Sequence, residues 1–135
     1  MKYNKIKSHA KINLVLNVVG KLKSLHKIEM IIAFIKLHDV VFIKESNNKH
    51  HNISFFGKFS DNIKSQNTIS MLLKILDKEK LLKKKFHIKI RKNIPLKSGL
   101  GGGSMNAASV LKYFIEKKII KLSQKEVLKI AKSIG

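Results

Sequence analysis

Gly99, Gly101, Gly102 and Gly103, with Leu100 between the first two and Ser104 close behind, form the stretch of this sequence best suited to chemistry. Glycine lets the backbone reach conformations closed to other residues and lets main-chain N–H groups approach a ligand directly. The stretch runs into a segment of helical spacing, and the first N–H groups of a helix are unpaired and partly positive. A loop of this kind feeding a helix is an anion cradle suited to a polyphosphate. The plainer alternative is a flexible turn between a strand and a helix. Ser104 stands where a helix N-cap belongs, and its hydroxyl is open to the helix or to a phosphate oxygen. The spacing matches neither G-x-x-x-x-G-K-[ST] nor a G-x-G-x-x-G fingerprint after a first strand.

Apolar periodicity outlines the elements that must position this loop. Residues 5–19 read as a strand or two joined strands, with Ile12, Leu14, Leu16 and Val18 alternating with Lys11, Asn13, Val15 and Asn17. Gly20 ends it. A second strand is expected over 28–35, a tight turn at His38-Asp39, a third strand over 40–43 and a fourth over 52–56. Ile69, Leu72, Leu73 and Leu76 recur at helical spacing and predict a helix over 65–82, after which alternation returns in 86–90. Beyond the glycines, residues 104–118 read as a helix with Ala107, Ala108, Leu111, Phe114 and Ile115 on its inner face. A last helix begins at Ser123, whose capping box is closed by Glu126. The order predicts one α+β domain, a mainly antiparallel sheet with helices on one face.

Composition narrows the function classes. At 135 residues and 44% hydrophobic the chain can build a core of one domain. It has no cysteine, hence no disulfide framework or thiolate metal site. No apolar run is long enough for a membrane span, and the basic start is broken by Lys7, His9 and Lys11, unlike a signal peptide. A cytoplasmic location is therefore expected. The net charge of +21 invites nucleic acid as a partner, but Arg91 is the only arginine among 29 basic residues. Readers of bases and phosphates exploit the arginine fork, and a chain rich in Lys, Ile and Asn reflects codons rich in A and T. Nucleic acid is accordingly not the expected partner. The histidines show no H-E-x-x-H spacing, so no metal-ligand set is expected, and no G-x-S-x-G elbow occurs. Lys83, Lys84 and Lys85 read as the solvated end of the first helix.

The whole phrase from Ile94-Pro95 through Gly99-Leu100-Gly101-Gly102-Gly103-Ser104 to Asn106-Ala107-Ala108 resembles the P-x-x-x-G-L-x-x-G-S-S-x-A-A loop of the GHMP kinases. Ala10-Lys11-Ile12-Asn13-Leu14 is similar to that family's A-K-[IL]-N-L strand, and Gly20, His26, Asn67 and Ser133-Ile134-Gly135 fall in register. The resemblance implies a ribosomal protein S5 domain 2-like fold, with residues 1–135 an amino-terminal, ATP-binding domain. It implies ATP and Mg²⁺ as cofactors, with Pro95, Lys97, Gly99, Leu100 and Gly101 at the phosphates together with Gly102, Gly103, Ser104 and Asn106. Lys11 would be catalytic, neutralising charge at the transferred phosphoryl group; Asn13 and His26 would bind the substrate. The branch most resembled transfers phosphate to the 2-hydroxyl of 4-diphosphocytidyl-2-C-methyl-D-erythritol in non-mevalonate isoprenoid synthesis. Another GHMP small-molecule kinase, or a basic S5-like nucleic-acid-binding module, is the alternative. Three departures stand out. Leu25 replaces the aromatic ring that would stack on the base, Met105 replaces a hydroxyl close to Mg²⁺, and the family's general-base aspartate would follow Gly135. The expectation is an incomplete site, with weak ATP binding, little or no turnover, and a complementary carboxy-terminal half as a partner beside ATP and the small-molecule substrate.

Overall fold

The computed structural model describes residues 2–135. Three strands open the chain: β1 (Asn4–Leu22), β2 (Leu25–Ser46) and β3 (Asn52–Phe56). Helix α1 (Thr68–Lys78), strand β4 (Lys85–Arg91), α2 (Gly102–Glu116) and α3 (Gln124–Ile134) follow. The sheet order is β1-β2-β4-β3. β1 pairs antiparallel with β2, and β2 with β4, while β3 runs parallel to β4. The domain is thus α+β as expected, with one parallel pair in a mainly antiparallel sheet.

The strands expected over 28–35 and 40–43 are one continuous strand, and His38-Asp39 is not a turn. Asp39 pairs with Ser8 in mid-strand and is fully buried. A polar His-Asp pair imitates a turn signal, but here buried donors from other elements satisfy the carboxylate. β2 meets β4 only over 40–46; from Lys11↔Phe34 outward to Leu22↔Leu25 it pairs with β1 alone as a two-stranded ribbon. The expected alternation over residues 12–18 therefore gives no buried face, because among the described residues no layer lies against the ribbon. Leu14 and Val18, for example, are 60% and 63% exposed.

Where the sheet is whole, alternate residues turn inward. Val41 and Ile43 of β2 and Phe86, Ile88 and Ile90 of β4 meet Leu72, Leu73 and Leu76 of α1 and Val110 and Phe114 of α2. The Phe86 and Phe114 rings lie 4.8 Å apart, close enough for an aromatic contact beyond simple burial. On the opposite face, Lys44 and Lys89 lie over the Tyr3 ring and Arg91 over Phe56. α1 is shorter than expected at both ends. Asn67 caps it, its side chain accepting from Ile69 N and Ser70 N in a reciprocal capping box. The lysines after it are not a helix end: Lys84 pairs with Glu45 and Lys85 with Asp77. The Ser123–Glu126 capping box of α3 forms as its sequence implies.

His51 latches the β3 entry to α1. Its Nδ1 accepts from Phe86 N at 3.0 Å, so the ring proton sits on Nε2, which donates to Asp77 Oδ2 at 3.2 Å. Burial outweighs the pull of Asp77 and holds the imidazole below its ordinary value. His87 is lowered too, by burial and by Lys89 and Lys44. The folded state therefore takes up these protons less readily than the unfolded chain. Their contribution to stability is complete above the unfolded value of about 6.5 and is lost as pH falls below it. Thermal melts should show a lower Tm at pH 5.5 than at pH 7.5. His51→Gln should flatten part of that slope, and adding His87→Gln most of the remainder.

Candidate functional site

β4 ends where Lys92 N donates to Phe56 O at 2.7 Å and the chain leaves the sheet. Ile94 is buried, and the segment that follows turns back through left-handed conformations at Lys97 (φ 53°), Gly99 (φ 75°) and Gly101 (φ 69°). Gly101, not Ser104, is the N-cap of α2, and it brings no side-chain oxygen to the helix. Met105 N donates to Gly101 O, so the amides of Gly102, Gly103 and Ser104 fall in the unpaired first turn. A glycine N-cap thus leaves free the donors that a serine or aspartate cap would have used.

Lys11 lies against this turn. Its N–H donates to Leu100 O at 3.0 Å, and its side chain crosses Gly101 so closely that a Cβ there would sit 2.9 Å from Cε. Glycine at 101 is favoured by its positive φ, and a Cβ there would displace the Lys11 side chain. On the other side Thr68 Oγ1 donates to Gly103 O at 2.7 Å and ties the start of α1 to that of α2. Beside this turn is a cleft of about 570 Å³, bordered by residues 62–64, 66–68, 95–99 and 101–104. That volume lies within the usual range for small-ligand sites. Lys64, Lys92 and Lys97 border it, and no Asp or Glu does among the described residues. Field and donors both favour an anion.

The structure joins some expected site residues and separates others. Pro95, Lys97, Leu100 and the glycines share the loop, with Ser98 and Ser104 exposed at its mouth. Asn13 is exposed two residues beyond Lys11, on the same side of β1. His26 pairs with Lys21 at the far tip of the ribbon, roughly 30 Å away at about 3.3 Å per residue. Asn106 is corrected: it is buried, and its amide donates to Asp39 Oδ2 at 3.0 Å rather than facing the cradle. Met105 is half-buried and borders grooves on both flanks of α2. Sequence reasoning missed Asp39 and Lys92. The available signal was a lone acid leading an apolar run, Val40-Val41-Phe42-Ile43, and a lysine at a strand end.

Residues 67–135 match the family described as GHMP kinases N terminal domain. Over 132 residues the chain is 61% identical to a protein of Pelagibacter ubique named 4-diphosphocytidyl-2-C-methyl-D-erythritol kinase, covering 97% of this chain and 47% of that protein. A protein of the same name from Clostridioides difficile is 35% identical over 136 residues, covering all of this chain and 46% of its own length. The chain spans about half the length of the curated relatives it matches. In fold it is similar to a crystal structure of 4-(cytidine 5'-diphospho)-2C-methyl-D-erythritol kinase, with a TM-score of 0.70 at 22% identity over 98% of this chain and 46% of that one.

The two left-handed glycines offer a controlled contrast. Gly101→Ala forces a Cβ into Lys11, whereas a Cβ at Gly99 meets nothing within 4 Å. Each should cost about 1–2 kcal/mol of stability for the backbone conformation. Only Gly101→Ala should weaken binding of tripolyphosphate tenfold or more, as read by calorimetric titration.

Proposed function

The chain belongs to the GHMP kinases, and from that premise we propose that residues 1–135 form the ATP-binding, amino-terminal domain of a kinase. Its reaction is phosphoryl transfer from ATP to the 2-hydroxyl of 4-diphosphocytidyl-2-C-methyl-D-erythritol. The observation that carries this reading is Lys11 lying across Gly101, the N-cap of the helix that follows the glycine loop. The substrate is taken from the names of the relatives and from the Lys11 and Asn13 strand.

In this reaction the bond between the γ-phosphorus and its bridging oxygen to the β-phosphate breaks. A bond to the alcohol oxygen forms, and the hydroxyl proton leaves. Catalysis of this kind is positioning and charge compensation. The amides of residues 102–104 hold phosphate oxygens at the helix N-terminus. The Lys11 ammonium offsets negative charge on the phosphoryl group in transit. Asn13 hydrogen-bonds the alcohol, and His26 at the ribbon tip is our candidate for the base contact, made only with the ribbon curled back toward Lys11. Leu25 beside His26 is 71% exposed and offers the base an apolar edge without a stacking ring.

Mg²⁺ would arrive with the triphosphate. Among the described residues no group of three His, Cys, Asp or Glu could hold a metal, and Ser104 is the hydroxyl at the first turn of α2. When bound, the ion would neutralise phosphate charge. Among the described residues we assign no proton acceptor, since no carboxylate borders the cleft. Because the curated relatives are about twice as long, we assign that group to a complementary carboxy-terminal half. No helix among the described residues is long and apolar enough to cross a membrane, and we propose a cytoplasmic location.

The test is a phosphorylation assay on this chain supplemented with the carboxy-terminal half proposed above, with ATP and the cytidyl substrate, and with homoserine and mevalonate as rival acceptors. Product phosphorylated at the 2-hydroxyl is expected from the cytidyl substrate alone. Lys11→Met should lower kcat at least a hundredfold and also raise the KM for ATP, since the same ammonium draws the phosphates. Phosphorylation of homoserine or mevalonate instead would reassign the acceptor, and an unchanged kcat in Lys11→Met would remove the lysine from the chemistry.

A further inference from the structure

We propose that Asp39 is the positioning residue of the phosphate cradle, a single buried carboxylate that closes the glycine loop from both ends. The proposal rests on the nucleotide reading above. Asp39 Oδ1 accepts from the N–H groups of Asn93 at 2.7 Å and Ile94 at 2.8 Å, the residues that lead from β4 into the loop. Asp39 Oδ2 accepts from Asn106 Nδ2 at 3.0 Å, on the second turn of α2, and from the ammonium of Lys92. The two ends of the loop are thereby fixed to one carboxylate. Asn93 Nδ2 adds a bond to His38 O at 2.9 Å, doubling the attachment to β2.

Four donors occupy the acceptor sites of this carboxylate, and it is fully buried. It has no free lone pair for a substrate proton or a metal, so its role is to position. Lys92 is 2% exposed and lies under the first turn of α2, where a Cβ on Gly102 would come 3.3 Å from its Nζ. Asp39 neutralises that ammonium, so the pull on a phosphate comes from the amides, from Lys64 and Lys97 at the cleft, and from Lys11 beside Gly101. Asn106 keeps its amide on Asp39 although its Oδ1 finds no partner among the described residues. A buried network with an orphaned atom is less stable than an apolar core of the same shape. The geometry it imposes is the gain that offsets this cost.

The test compares three variants of the protein: Asp39→Asn, Lys92→Met, and the swap Asp39→Asn with Asn106→Asp. The swap returns a carboxylate beside Lys92, because residues 92 and 106 converge on the same oxygen. Amide hydrogen exchange is read across 96–104, and affinity is measured for the non-hydrolysable analogue AMP-PNP. Asp39→Asn should speed exchange in the loop at least tenfold more than in α1, and should weaken AMP-PNP at least tenfold. The swap should bring both within threefold of the parent protein. Unchanged loop exchange, an acceleration spread evenly through α1 and β4, or a swap no better than the single variant would each overturn the role of Asp39. Should Asp39→Asn not fold, Lys92→Met is judged by the same exchange criteria. A parent protein that does not bind AMP-PNP overturns the nucleotide reading alone, and loop exchange still decides the positioning role.

Discussion

Burying a charge is tolerable only when it is paired and fully hydrogen-bonded, and the meeting of Asp39 with Lys92 meets both conditions. Around that pair converge the middle of β2, the exit from β4 and the second turn of α2. Taking away one member of such a pair strands the other and costs about 3–5 kcal/mol, a large share of the roughly 5–15 kcal/mol that holds a domain folded. The constraint is therefore local in extent and global in consequence. The loop between residues 94 and 102 is free to be rich in glycine because its ends are not.

The same arrangement sorts the cations. A chain with 29 basic residues would draw any polyanion weakly over its whole surface. Most of those charges are exposed to solvent and screened by salt, and several lie on aromatic rings or on acids. Lys92 is neutralised inside. Lys11 is distinguished by contact rather than charge, since its main chain bonds the loop and its side chain rests on the glycine that caps α2. What separates a binding lysine from a solvated one is the backbone it touches.

Much of this was legible in the residues. The glycine phrase, the Lys11 strand, the Ser123 capping box and the apolar stripe of α1 all act locally, and local spacing reports local structure. The long β2 was misread because the polar pair His38-Asp39 looks like a turn until its buried donors, 53 to 67 positions away, are known. The exposed faces of residues 12–34 could not be read either, since alternation predicts a buried side only if another layer covers it. Ser104 was read as the cap because hydroxyls usually are, but a glycine three positions before it starts the helix by its left-handed φ. Asn106 belonged to the right phrase but points the other way, a distinction that spacing does not encode.

The bare ribbon of β1 and β2 behaves as a cantilever. It is fixed at its root, where Lys11 bonds Leu100, and paired only with itself outward to Leu22 and Leu25. A swing of about 10° at the root moves the tip by about 5 Å over an arm of roughly 30 Å, while atoms beside Gly101 barely shift. A molecule lying along such an arm would have its near end gripped to fractions of an ångström and its far end followed loosely. Tolerance toward different far groups would then come from leverage, with no change in the chemistry performed at the hinge.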